Sequence, residues 1–123
     1  MTKKSHSVTV HVVAYRKAAG LHIQLAVSPE LLDLTELPDG EVTVQWKLDT
    51  KGYAFPTDGS AIVFTSPGAK KAFGPVKVDR SGKLATAVAK NVDGLAYAYN
   101  VSVTEVSSKL TAVLDPLIQN RAK

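Results

Sequence analysis

The residue types best suited to metal binding or proton transfer are three histidines, His6, His11 and His22. His11 and His22 lie in two alternating segments that read as one hairpin, and both fall on its outward side if Val10 and Ile23 face inward together. A zinc site needs three or four ligands. Neither a His-x-x-x-His spacing nor a third ligand accompanies the pair, so solvated imidazoles are expected. Cysteine is absent, which removes disulfides, iron–sulfur clusters, thiolate metal sites including blue copper, and a Cys nucleophile. Serine, histidine and aspartate occur without the Gly-x-Ser-x-Gly turn of a hydrolase, and Asp58-Gly59-Ser60 reads as an ordinary turn. The segment from Gly68 to Gly74, with Lys70 and Lys71, lacks Walker spacing and its Lys-Ser or Lys-Thr ending, and reads as a basic loop. The acidic stretch Glu30, Asp33, Glu36, Asp39 and Glu41 is better explained by helix and turn polarity than by the paired acids of glycoside chemistry. No catalytic residue, metal ligand or cofactor is assigned, and the chain reads as a non-enzyme.

The elements that would position these residues are strands. Period-two alternation with β-branched residues recurs along the chain, with turn residues between the runs. Ser7 to Tyr15 and Gly20 to Ser28 form the hairpin. Glu41 to Asp49 is the cleanest amphipathic strand, with Val42, Val44, Trp46 and Leu48 on one face. Further strands are predicted at Ser60 to Thr65, Pro75 to Asp79, Lys83 to Lys90, Leu95 to Val106 and Lys109 to Leu114. Ser28 as a cap, Pro29 at the first helical position and Leu31, Leu32, Leu34 and Leu37 as an apolar stripe predict one short helix. The fold class is all-β: an antiparallel β-sandwich, immunoglobulin-like or similar, of seven or eight strands with one short helix. No linker divides residues 1–123, so one domain is expected. At 13.1 kDa it is large enough to bury roughly two-thirds of its unfolded surface.

Three surfaces stand out. Leu84 to Ala89 carries no charge at either parity, and the outward parity of Leu95 to Val103 is small and uncharged. If Asn91 to Gly94 closes a hairpin with Val92-Asp93 as its loop, Ala85, Ala87, Ala89, Ala96 and Ala98 form one flat face; a glycine bulge would instead set the first three against Tyr97 and Tyr99. Either face needs a cover, from the same chain or from the second subunit of a homodimer. Tyr53 and Phe55 follow the Trp46 strand in a turn, where they either plug the end of the sandwich or form a loop for a small molecule, carbohydrate or protein partner. Lys70, Lys71, Lys77, Arg80 and Lys83 are offset only by Asp79 and form a basic patch. Twelve Lys and three scattered Arg give a net charge of +4, and the lack of an arginine cluster disfavours nucleic acid as a partner.

The longest apolar runs are far short of the ~20 residues that span a bilayer, and Met1 to Ser7 opens no signal-like apolar stretch. A cytoplasmic location without membrane attachment is the expectation. Trp46, Gly52-Tyr53-x-Phe55-Pro56-x-Asp58-Gly59, Phe73, Tyr97-x-Tyr99-x-Val101-x-Val103 and Leu114-Asp115-Pro116-x-Ile118-x-Asn120 together form a pattern. Over Trp46 to Asn120 the chain resembles small bacterial β-sandwich proteins of uncharacterised function, which implies the fold and a bacterial source but no catalytic residue. The functional expectation is a non-enzymatic interaction or structural module. A small-molecule or carbohydrate binder comes second and a weak nucleic-acid binder third.

Overall fold

The computed structural model describes residues 6–16, 23–35, 37, 40–91 and 94–119. It is an all-β sandwich of two sheets. The first holds β1 (His6–Arg16), β2 (Ile23–Ser28), β4 (Val42–Leu48), β7 (Lys77–Val78) and β8 (Leu84–Ala89), in the order β2-β1-β4-β8-β7. The second is built on β9 (Ala96–Glu105), which pairs with β5 (Tyr53–Ala54), β6 (Ile62–Phe64), β10 (Thr111–Leu114) and β11 (Leu117–Gln119). The short β3 (Leu31–Asp33) closes that sheet by pairing with β11.

The alternation of side chains translates directly into burial. Val10, Val12 and Ala14 of β1 and Val42, Val44, Trp46 and Leu48 of β4 point inward from the first sheet. Tyr97, Tyr99, Val101 and Val103 of β9 meet them from the second. Trp46 lies edge-on to Tyr99, ring centroids 5.5 Å apart, and its indole N–H donates to the Tyr99 hydroxyl at 3.0 Å. The acceptor is thus a side chain of the facing sheet, and both rings are fully buried.

Four expectations need correction. The sheets are mixed: β1 runs parallel to β4, and β11 parallel to β3. The described residues form eleven strands, since β3, β5 and β11 are too short to announce themselves by alternation. The segment after Ser28 is not a helix. Leu32 and Leu34 are buried while Leu31, Asp33 and Thr35 are exposed, a period of two that β11 recruits into the sheet. The helix that does form, α1 (Ala69–Ala72), spans four residues between β6 and β7.

The fourth correction concerns the alanines. β8 and β9 do not form a hairpin, since β8 pairs with β4 and β7 in the first sheet and β9 belongs to the second. Ala85, Ala87 and Ala89 face the core and are buried, whereas Ala96 and Ala98 lie on the outer side of the other sheet. They share no face. Asn91, just after β8, is fully buried in the left-handed region (φ 55°), and its side-chain amide donates to the Leu34 carbonyl at 3.1 Å. A polar side chain that satisfies a buried carbonyl in this way marks the start of the crossover.

Gly82 shows how tightly one turn is fitted. Its φ is +71°, a Cβ there would lie 2.9 Å from the Ala54 Cβ, and its carbonyl accepts from the Phe55 N–H at 2.7 Å. Gly82→Ala is therefore expected to lower stability by more than the about 1–2 kcal/mol set by left-handed backbone alone. Gly59→Ala, at φ +96° in open space, should show only the backbone part. Urea midpoints of the two variants compare them directly.

Candidate interaction surfaces

The outer face of the second sheet is uncharged across most of its width. Alternation along β9 turns Ala96, Ala98, Asn100 and Thr104 outward, opposite its buried tyrosines and valines, while Ser102 at the same parity is buried. Register then sets their neighbours: Leu117 beside Ala98, Leu31 beside Leu117, Val63 beside Asn100 and Val113 beside Ser102. Leu31, Leu117, Val63 and Val113 are 41% to 55% exposed. Asp33 follows two residues after Leu31 on β3, and exposed Glu30 and Asp115 border Leu31 and Leu117 at the rim.

The outer face of the first sheet is built differently. One row across it reads Thr9, Gln45, Thr86 and Lys77, and the next holds His11, Lys47 and Leu84. Thr9 donates to the Gln45 side-chain oxygen, and exposed Asp49 lies 3.7 Å from the His11 imidazole. Val13 and Tyr15 are exposed there but pair with Ala26 and Gln24. Arg16 pairs with Ile23, five residues along the hairpin from His11, and His22 lies outside the described residues. Among the described residues no group of three or more His, Asp or Glu could hold a metal ion.

Tyr53 and Phe55 are buried, so this turn plugs the sandwich end rather than offering its rings to a ligand. Lys83 Nζ donates to the carbonyls of Thr50, at 2.7 Å, and Tyr53, while Gly52 accepts from the Val106 N–H at 3.0 Å. The turn is latched on both sides. Lys83 is thereby withdrawn from the basic patch. Lys77 stands on the outer face of the first sheet and Arg80 in the β7–β8 turn, whereas Lys70 and Lys71 are on α1.

A clasp joins the two sheets at the same end. Arg16 closes β1 and Glu105 closes β9, and the guanidinium donates twice to the carboxylate, at 2.8 and 2.7 Å. The Tyr53 hydroxyl donates to the same carboxylate at 3.1 Å. Hydrogen bonds from Arg16 and then from Ser108 dominate the effect on Glu105, holding its pKa down at about 2. The Arg16 guanidinium is raised mainly by its bond to Glu105, and the Tyr53 hydroxyl mainly by desolvation. The three side chains are bound to one another across the two sheets, which is the arrangement of a structural tie.

Lys70 and Lys71 stand at the rim of a groove of ≈ 880 Å³ between β6, α1 and the Gly74–Val76 segment. Phe64 stacks on Phe73 along it, centroids 4.2 Å apart and planes 11° from parallel. Sequence reasoning found neither the groove nor the large apolar residues that flank β9 on the outer face, since both arise where residues distant in sequence meet. The only local signals were the uncharged second parity of β9 and the two adjacent lysines. Among the described residues no helix is long and apolar enough to cross a membrane. No protein-family model matches this chain, and no curated protein sequence matches it.

Proposed function

We propose that this protein is a non-enzymatic interaction module that pairs with a second copy of itself through the outer face of the second sheet. The observation that carries the reading is the grouping on the outer face of the second sheet, where four large exposed apolar side chains flank small uncharged ones, whereas Val13, Tyr15 and Val88, exposed on the other outer face, share it with polar rows. Grouped exposed apolar side chains mark contact surfaces, whereas scattered ones do not. An uncharged patch has no preference for a charged partner, and a two-fold contact sets it against itself. Small side chains on β9 let the copies approach, and Val63 on one flank with Leu117 and Leu31 on the other fill the space between them.

Sedimentation velocity across a concentration series is expected to give twice the 13.1 kDa chain mass. Leu117→Lys should weaken that association at least about tenfold, because it places an unpaired charge within the contact, beside Ala98 and Leu31. Val13→Lys on the other outer face should leave it unchanged. A wild-type chain that stays monomeric at the highest concentration, or a Leu117→Lys chain that pairs as before, overturns the reading.

A further inference from the structure

We infer that the groove beside β6 binds an extended acidic peptide, which adds to the outer edge of β6 and sets its carboxylates over Lys70 and Lys71.

Hydrogen-bond register shows that this edge is open. Ser102 donates to the Ala61 carbonyl at 2.8 Å and Thr65 to the Ala98 carbonyl at 3.0 Å. The odd-numbered residues of this segment therefore face β9. Phe64 lies opposite Tyr99, whose N–H points the other way and donates to the Pro116 carbonyl at 3.1 Å. Successive residues of a strand turn their backbone groups to opposite edges, so Phe64 presents its N–H and C=O away from β9. β6 pairs with β9 alone among the described strands. Ile62 turns the same way but is almost fully covered, and the Ser66 carbonyl already accepts from the Ala69 N–H at 3.4 Å, so the edge is open at Phe64.

The groove beside that edge supplies both remaining requirements. Its wall is the stacked Phe64–Phe73 pair, which gives one row of an added strand an apolar surface. Its charged lining residues are Lys70 and Lys71, both exposed, with no carboxylate among the lining side chains. An added strand places alternate side chains on opposite sides. Alternating apolar and acidic residues thus match the aromatic wall and the lysine rim together. A short free edge flanked by lysines also disfavours pairing with strands that cannot neutralise them, since basic strands are repelled and neutral ones would bury an unpaired ammonium.

The test uses fluorescein-labelled Asp-Val-Asp-Val-Asp-Val, its Lys-Val counterpart, an acidic version N-methylated at its valines, and a hexathymidylate. Fluorescence anisotropy should show saturable binding of the acidic peptide below about 1 mM. The Lys-Val and N-methylated peptides should bind at least tenfold more weakly, as should hexathymidylate. Lys70→Glu with Lys71→Glu should weaken the acidic peptide at least about tenfold, with Lys70→Gln and Lys71→Gln as the second pair if charge reversal disturbs folding. Leu117→Lys, outside the groove, should leave peptide binding intact even where it abolishes self-pairing, which separates this inference from the proposed function. No saturable binding, indifference to the lysine changes, equal binding of the N-methylated peptide, or hexathymidylate binding as tightly overturns it.

Discussion

Trp46→Ala is expected to lower the free energy of unfolding by about 3–5 kcal/mol, a large share of the about 5–15 kcal/mol that holds a domain of this kind. Trp46 is fully buried in β4, where it meets Tyr99 and Phe64 edge-on at 5.5 and 6.5 Å. Removing it leaves a cavity between the two sheets, beside the Tyr99 and Phe64 rings. The hydrogen bond from Trp46 to Tyr99 is separable from the packing. Tyr99→Phe keeps the ring and orphans the indole N–H, which should cost about 1–3 kcal/mol. Trp46→Phe orphans the Tyr99 hydroxyl, a group so far desolvated that its pKa is pushed up to about 12. Trp46→Phe with Tyr99→Phe removes both polar groups, so the pair should cost less than the sum of the single changes. Urea denaturation of the four proteins closes this cycle. Additive costs would show that the bond contributes nothing beyond the rings.

Why the core was legible and the contact surfaces were not follows from where each signal resides. Val42, Val44, Trp46 and Leu48 announce a strand and its inward face by themselves, because alternation is a property of consecutive residues. Leu31 to Leu34 is a short apolar run that fits a helix stripe or a strand equally, and only pairing with Leu117 to Gln119 decides between them. The alanines went astray for the same reason. Leu84 to Ala89 and Ala96 to Glu105 are adjacent in sequence with a turn-like Asn91 to Gly94 between them, yet Asn91 anchors on Leu34 and the chain crosses to the other sheet. Once β9 is placed beside β11 instead of β8, Ala98 gains Leu117 as its neighbour. The uncharged parity read from the sequence thus lands on an outer face. Lys83 illustrates the limit for charges, since nothing in its neighbours reveals that its ammonium is committed to Thr50 and Tyr53.

Acid should weaken the fold most through the Arg16–Glu105 clasp. Glu105 is held at about 2 in the folded chain, against the about 4.3 of an unperturbed glutamate. Between those values the unfolded chain binds more protons than the folded one, so stability falls as pH falls. The contribution is complete above about pH 4.5 and is lost as pH drops toward about 2. Asp33, Asp58 and Asp79 are also held low, by hydrogen bonds from Thr35, Ser60 and Ser81 in their own turns, and add slopes of the same sign. They differ in consequence: each aspartate ties residues two apart, whereas Glu105 ties β1 of one sheet to β9 and β5 of the other. Glu105→Gln should therefore lower stability at pH 7 and remove about one proton from the pH dependence of unfolding between pH 2 and 4.5. Asp58→Asn should remove a smaller fraction and leave the pH 7 midpoint nearly unchanged. Urea midpoints recorded at half-unit pH steps read out both. Equal pH slopes in wild type and Glu105→Gln would show that the clasp closes without favouring the ionised carboxylate.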